Sequence, residues 1–248
     1  PMRTIVRETT PWNEITVCET NALFGQTGRF RCLRFADEAV QGAIDLRDPG
    51  RVVLEYPRAL IHLLERNAPG FARAFMIGHG VGTIPARYPA GAFTVAEIDE
   101  RVVALSREFF GYPWNNVAIG DGRALLEAEP PASLDAVLID AFTKDGTPGH
   151  LTTVECFEEA ARRMRGPGLL LINLTGRARG DRRIASIHAS LAKTFRHTAA
   201  FFLPASPGRS YGNIVLAGSG MPISHGADGL AGFRPFVPEP GYAMRDRP

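Results

Sequence analysis

The chain has 248 residues, of which 45% are hydrophobic and 22% charged, and its formal net charge is +2. That length suits one large domain, or one domain with a small appendage, of ordinary globular composition. The near-neutral balance without a long basic run leaves no footprint for nucleic acid, and no apolar run approaches a membrane span.

Arginine supplies nearly all the positive charge, since Lys144 and Lys193 are the only lysines. The three cysteines, Cys18, Cys32 and Cys156, are widely spaced and odd in number. They read as reduced core thiols, with no CxxC and no spacing that predicts a metal site. The opening PMRTIVRETT lacks a charged-then-apolar leader pattern, so a cytoplasmic protein is expected.

Residues 1–55 read as a small β domain. The runs TIVRET, EITVCET, RFRCLRF and AVQGAIDL are short and partly alternating, and turn residues separate them. Residues 56–67, YPRALIHLLERN, place apolar residues on one face behind a first-turn proline, which predicts an amphipathic helix. From residue 72 apolar strands alternate with helices: ARAFMI, AFTVAEI, NNVAIG, SLDAVLID and GLLLINL, each followed by a helical pattern. Such alternation predicts an α/β domain over 56–218, with helices on both faces of a parallel sheet. HTAAFFL and YGNIVLAG have no full helix between them and read as an antiparallel edge pair. Residues 219–248 are rich in Pro and Gly and read as an irregular surface extension.

Ligands of such sheets bind beyond the carboxyl ends of the strands. The first strand there runs into Gly78-His79-Gly80-Val81-Gly82-Thr83. The second ends at Glu97 and Asp99, the third at Gly120-Asp121-Gly122, and the fourth at Asp140. Gly78, Gly80 and Gly82 allow a sharp turn and close backbone approach to a ligand. A dinucleotide fingerprint needs a glycine where Thr83 stands, and a pyrophosphate suits acidic strand ends poorly. Adenosine bearing a sulfonium side chain fits better. Glu97 would accept from both ribose hydroxyls, and Asp121 from the adenine amino group. Asp99 reads as the cap of the next helix; for Asp121, ligand and cap stand equal. Asp140 ends an apolar run, where an ionised carboxylate needs a partner or a function.

With these residues the sequence resembles the spermidine synthase family, the polyamine aminopropyltransferases, over roughly residues 30 to 218. The motifs are GHGVGT, Glu97-Ile98-Asp99, Gly120-Asp121-Gly122 and the loop from Asp140 to Asp145. Gln41, Tyr56 and His62 match residues at the family's junction between β domain and first helix. The run from Asp140 to Phe157 is similar to a bacterial spermidine synthase-like subgroup.

The resemblance implies a class I methyltransferase-type, Rossmann-like sheet behind a small N-terminal β domain. It implies a donor, decarboxylated S-adenosylmethionine, a methylthioadenosine by-product, a putrescine-like amine acceptor and a homodimer. Asp140 would take the amine proton, Asp145 would anchor an ammonium, and Tyr56 and Gln41 would add neutral hydrogen bonds. Gly78, Gly80, Gly82, Glu97, Asp121 and Gly122 would hold the nucleoside. The family's first loop carries an aspartate where Val81 stands, which admits intact S-adenosylmethionine as donor. Its two loop aspartates lie three apart, whereas Asp140 and Asp145 are five apart. Two alternatives stay open: a small-molecule methyltransferase on the same sheet, and a non-catalytic nucleoside-binding paralogue.

Overall fold

The structure, a computed structural model, describes residues 2–36, 39–226 and 228–248. Four antiparallel strands come first, in meander order: β1 (Arg3–Thr9), β2 (Glu14–Leu23), β3 (Gln26–Arg34) and β4 (Val40–Asp45). Side chains alternate across this sheet, and both faces are buried. Ile15, Val17 and Leu33 face one way, and Cys18, Phe30 and Cys32 the other, all without exposure.

The rest forms a second, eight-stranded sheet. Its elements are α1 (Glu55–Asn67), β5 (Ala74–Ile77), β6 (Phe93–Glu97), α2 (Glu100–Phe110), β7 (Val117–Ile119), α3 (Gly122–Glu127) and β8 (Leu134–Ile139). Then follow α4 (Val154–Arg163), β9 (Met164–Arg177), α5 (Arg182–Thr194), β10 (His197–Pro204), β11 (Tyr211–Ser219) and β12 (Arg234–Phe236). The strand order is β12-β10-β11-β9-β8-β5-β6-β7, and the five strands β9, β8, β5, β6 and β7 run parallel. All four residues of β5 are buried, because α1 covers one face of the sheet with Leu60, Leu63 and Leu64 while α4 and α5 cover the other with Phe157 and Leu191. β5 is flanked by β6 on one side and β8 on the other, which opens a crevice where the chain reverses direction across the sheet.

The last long strands, β10 and β11, form the antiparallel pair expected from sequence, with only the short β12 outside them. β11 lies between β9 and β10, antiparallel to both. It is buried along nearly its whole length, as an interior strand should be, whereas β10 is mostly half-buried. The segment after residue 219 is irregular except for β12, which pairs with β10.

The N-terminal sheet is fastened over the crevice. Ile15, Val17 and Leu33 pack with Val102, Leu105 and Phe110 of α2 and with Val81 of the glycine loop. Around this apolar contact, Thr10 Oγ1 donates to Asp99 Oδ2 at 2.5 Å, Arg101 pairs with Glu8 at 2.7 Å, and Arg31 donates to the Phe109 carbonyl at 2.8 Å. Val81 is 6% exposed and fills the space opposite Gly42, where a Cβ would lie 2.7 Å from it. An acid there would be enclosed by hydrocarbon. Val81→Asp should therefore lower stability by at least about 2 kcal/mol, read as a fall in thermal midpoint. An unchanged midpoint would show that Val81 is not enclosed.

Candidate active site

The glycine loop leaves β5 with Gly78, Gly80 and Gly82 all at positive φ. At Gly78 (φ +93°) a Cβ would sit 2.0 Å from the Asp140 carbonyl oxygen, and at Gly82 (φ +80°) one would sit 2.6 Å from the Tyr112 ring. Only glycine meets both demands. Between them, His79 turns inward, 4% exposed, with its ring edge against Tyr112. Ser106 gives its own proton to the Val103 carbonyl, so His79 Nε2 donates to Ser106 Oγ at 2.8 Å. Burial drives its pKa down to about 3, so the ring is neutral.

Beyond this loop lies a cavity of about 650 Å³, lined by Gly78, Gly80, Glu97, Asp121, Gly122 and Asp140 among others. Gln41, Tyr56 and Asp145 also reach its wall. The cavity thus gathers nine of the ten expected site residues, with Gly82 set behind them.

Glu97 ends β6. Its Oε2 accepts from the His79 backbone N–H at 2.8 Å and its Oε1 from that of Asp99 at 3.1 Å. Each oxygen keeps a lone pair for a ligand. Burial outweighs these bonds and raises its pKa to about 7. Asp99 does cap α2, accepting from Arg101 N–H at 3.0 Å.

Asp140 follows β8. Its Oδ1 accepts from Asn173 Nδ2 at 3.0 Å, and Asn173 Oδ1 accepts from Asn213 Nδ2 at 3.3 Å. Burial raises the Asp140 pKa to about 6, against the opposing pull of Asn173 and Tyr56. The Tyr56 hydroxyl proton has two acceptors in reach, the Gln41 carbonyl at 2.8 Å and the Asp140 carboxylate. Burial and then this carboxylate hold the phenol well above its ordinary pKa.

Other expected residues sit differently. Asp121 caps α3, accepting from Ala124 N–H at 2.9 Å, and its second oxygen meets His150 Nε2 at 2.6 Å. Gly122 is where α3 touches β5, since a Cβ would lie 2.2 Å from Ile77. Asp145 is exposed on its loop. His62 lies away from the cavity, with Nε2 bonded to the His225 carbonyl at 2.7 Å. Trp114 bonds the Tyr88 carbonyl and packs outside the cavity. Residues that sequence reasoning passed over are Asn173, Asn213 and Trp12, which lines the cavity from the turn between β1 and β2. For Asn173 a signal existed: an amide inside the apolar run LLLINL needs a buried partner.

No family model matches the chain. A polyamine aminopropyltransferase of Chromobacterium violaceum is 29% identical over 203 residues, 77% of this chain and 73% of that protein. A crystal structure of a probable spermidine synthase from Corynebacterium glutamicum superposes with a TM-score of 0.72 at 28% identity, covering 88% of this chain and 80% of the other. The chain is spermidine synthase-like. A putrescine N-methyltransferase of Nicotiana tabacum is also 29% identical, over 142 residues, but the match spans 53% of this chain and only 37% of that protein. Among the described residues of this spermidine synthase-like chain, no helix is long and apolar enough to cross a membrane.

The raised pKa of Glu97 has a thermodynamic sign. Its ordinary value is 4.5 and its folded value about 7, so the folded protein holds this proton to higher pH than the unfolded chain. Stability falls as pH rises through that window. In urea denaturation, Glu97→Gln should gain about 2 to 3 kcal/mol relative to wild type between about pH 5 and about pH 8. A difference that stays flat, or runs the other way, would contradict the raised pKa of Glu97.

Proposed function

We propose that the chain transfers an aminopropyl or related group from a sulfonium nucleoside to an amine, by direct displacement at the carbon next to sulfur. The observation that carries this is the facing of two half-buried strand-end carboxylates, Glu97 and Asp140, into one cavity behind the glycine loop. Glu97, braced by two backbone N–H groups, is built to accept a pair of hydroxyls such as a ribose diol. Asp140 is built to receive a proton.

The chemistry demands such a group. An alkylammonium has a pKa of about 10, yet only the neutral amine attacks. A carboxylate raised to about 6 is a better base than an ordinary aspartate and is held in place by Asn173. Tyr56 and Gln41 close the site from the N-terminal side, and holding both reactants there would supply much of the rate. Asp145, on its exposed loop, is available to an ammonium.

Both decarboxylated and intact S-adenosylmethionine are proposed donors. Val81 is buried in the apolar cluster, so the glycine loop presents no acid to the donor's tail. That absence, with the putrescine N-methyltransferase match, favours methyl transfer as the second reading.

Incubation with each donor and a panel of amines separates the readings by the mass of the nucleoside released. Methylthioadenosine marks aminopropyl or related transfer, S-adenosylhomocysteine marks methylation, and binding without either marks a non-catalytic nucleoside binder. Asp140→Asn should keep nucleoside binding and lose at least about 100-fold in turnover. Unchanged turnover would remove Asp140 from the role of base.

A further inference from the structure

This inference rests on the transfer reading and concerns the acceptor. A second lobe of about 710 Å³ adjoins the first and shares Gln41, Tyr56 and Asp145 with it. Its floor is amide rather than acid: Asn173 Oδ1 accepts from Asn213 Nδ2, and Asn173 Nδ2 donates to Asp140. The turn from β9 into α5 adds two charged residues to its wall, Asp181 and Arg183.

That acid is engaged. Asp181 Oδ1 accepts from Ile184 N–H at 3.1 Å and Oδ2 from Arg177 N–H at 2.9 Å. Arg183 and Lys144 both line the lobe. Arg183 Nη2 donates to the Thr147 carbonyl at 2.6 Å, which fixes the guanidinium and leaves further donors free. Among the described residues, neither Arg183 nor Lys144 forms an ion pair.

A diamine whose reacting nitrogen sits at Asp140 would place its second ammonium in a lobe that offers Asp145 but also the cations Arg183 and Lys144. An amine that ends in an anionic group would meet a matched guanidinium instead. We propose that the acceptor is an amine bearing a carboxylate, or a similar anion, which Arg183 binds in this lobe.

The test compares 1,4-diaminobutane with 4-aminobutanoate, which have similar chain lengths and opposite distal charge. Each is titrated calorimetrically into protein saturated with methylthioadenosine. Wild type should bind 4-aminobutanoate about tenfold more tightly than the diamine. Arg183→Gln should lose that margin and shift the diamine in the opposite direction, while Arg183→Lys should keep the preference. Opposed shifts separate a charge effect from damage to the loop at Thr147, which would weaken both ligands together. Tighter diamine binding by wild type, or equal losses for both ligands in Arg183→Gln, would overturn the inference. If no acceptor releases a nucleoside product yet the Arg183-dependent preference persists, the transfer reading falls and the anionic-acceptor site stands. If the diamine drives release best, without response to Arg183, the transfer reading stands and this inference falls.

Discussion

The close approach of Gly78 to the main chain at Asp140 organises the site. With no room for a Cβ, the turn after β5 and the turn after β8 lie in direct backbone contact. This contact brings the glycine loop beside Asp140, while the next N–H, that of His79, reaches across to Glu97 on β6. Three adjacent parallel strands are thereby tied at their carboxyl ends, with both carboxylates opening onto the same cavity. A side chain at Gly78 would separate them and dismantle the site before it touched any ligand.

The carboxylates also carry a cost. Each has its pKa raised because the folded chain withdraws it from water faster than its hydrogen bonds compensate. Such groups lower the stability of the ligand-free protein near neutral pH and would gain from a ligand that supplies donors. The fold sustains them with two large apolar clusters on the faces of the sheet and a third that fastens the N-terminal sheet to α2. Val81 belongs to that third cluster. Its place explains how a loop whose family counterpart carries an acid can hold its shape here with a hydrocarbon side chain.

Much of this architecture is legible in the amino-acid sequence. Strand–helix alternation from residue 72 points to the parallel sheet, and acidic residues after successive apolar runs mark the cavity rim. Period-two alternation reveals the N-terminal strands. What escapes a sequence reading depends on contacts between distant segments. Asp121 follows a strand as Glu97 does, but only the arrival of His150 shows that its second oxygen already has a partner. His62 matches a family position, yet the segment near His225 folds back to occupy its ring. The insertion of β11 beside β9 is hidden because its apolar run fits an edge hairpin and an interior strand equally well. Asn173 is visible as a polar residue in a buried strand, but its partner Asp140 is 33 positions away.

The proposed transfer depends on one placement: a sulfonium nucleoside lying across the glycine loop, with its ribose on Glu97 and its sulfur end toward Asp140. A crystal structure of the protein with methylthioadenosine measures it directly. The expected map shows both ribose hydroxyls within hydrogen-bond distance of the Glu97 carboxylate and the thioether facing the pocket between Asp140 and Tyr56. A nucleoside bound elsewhere, or bound here with its ribose away from Glu97, would contradict that placement.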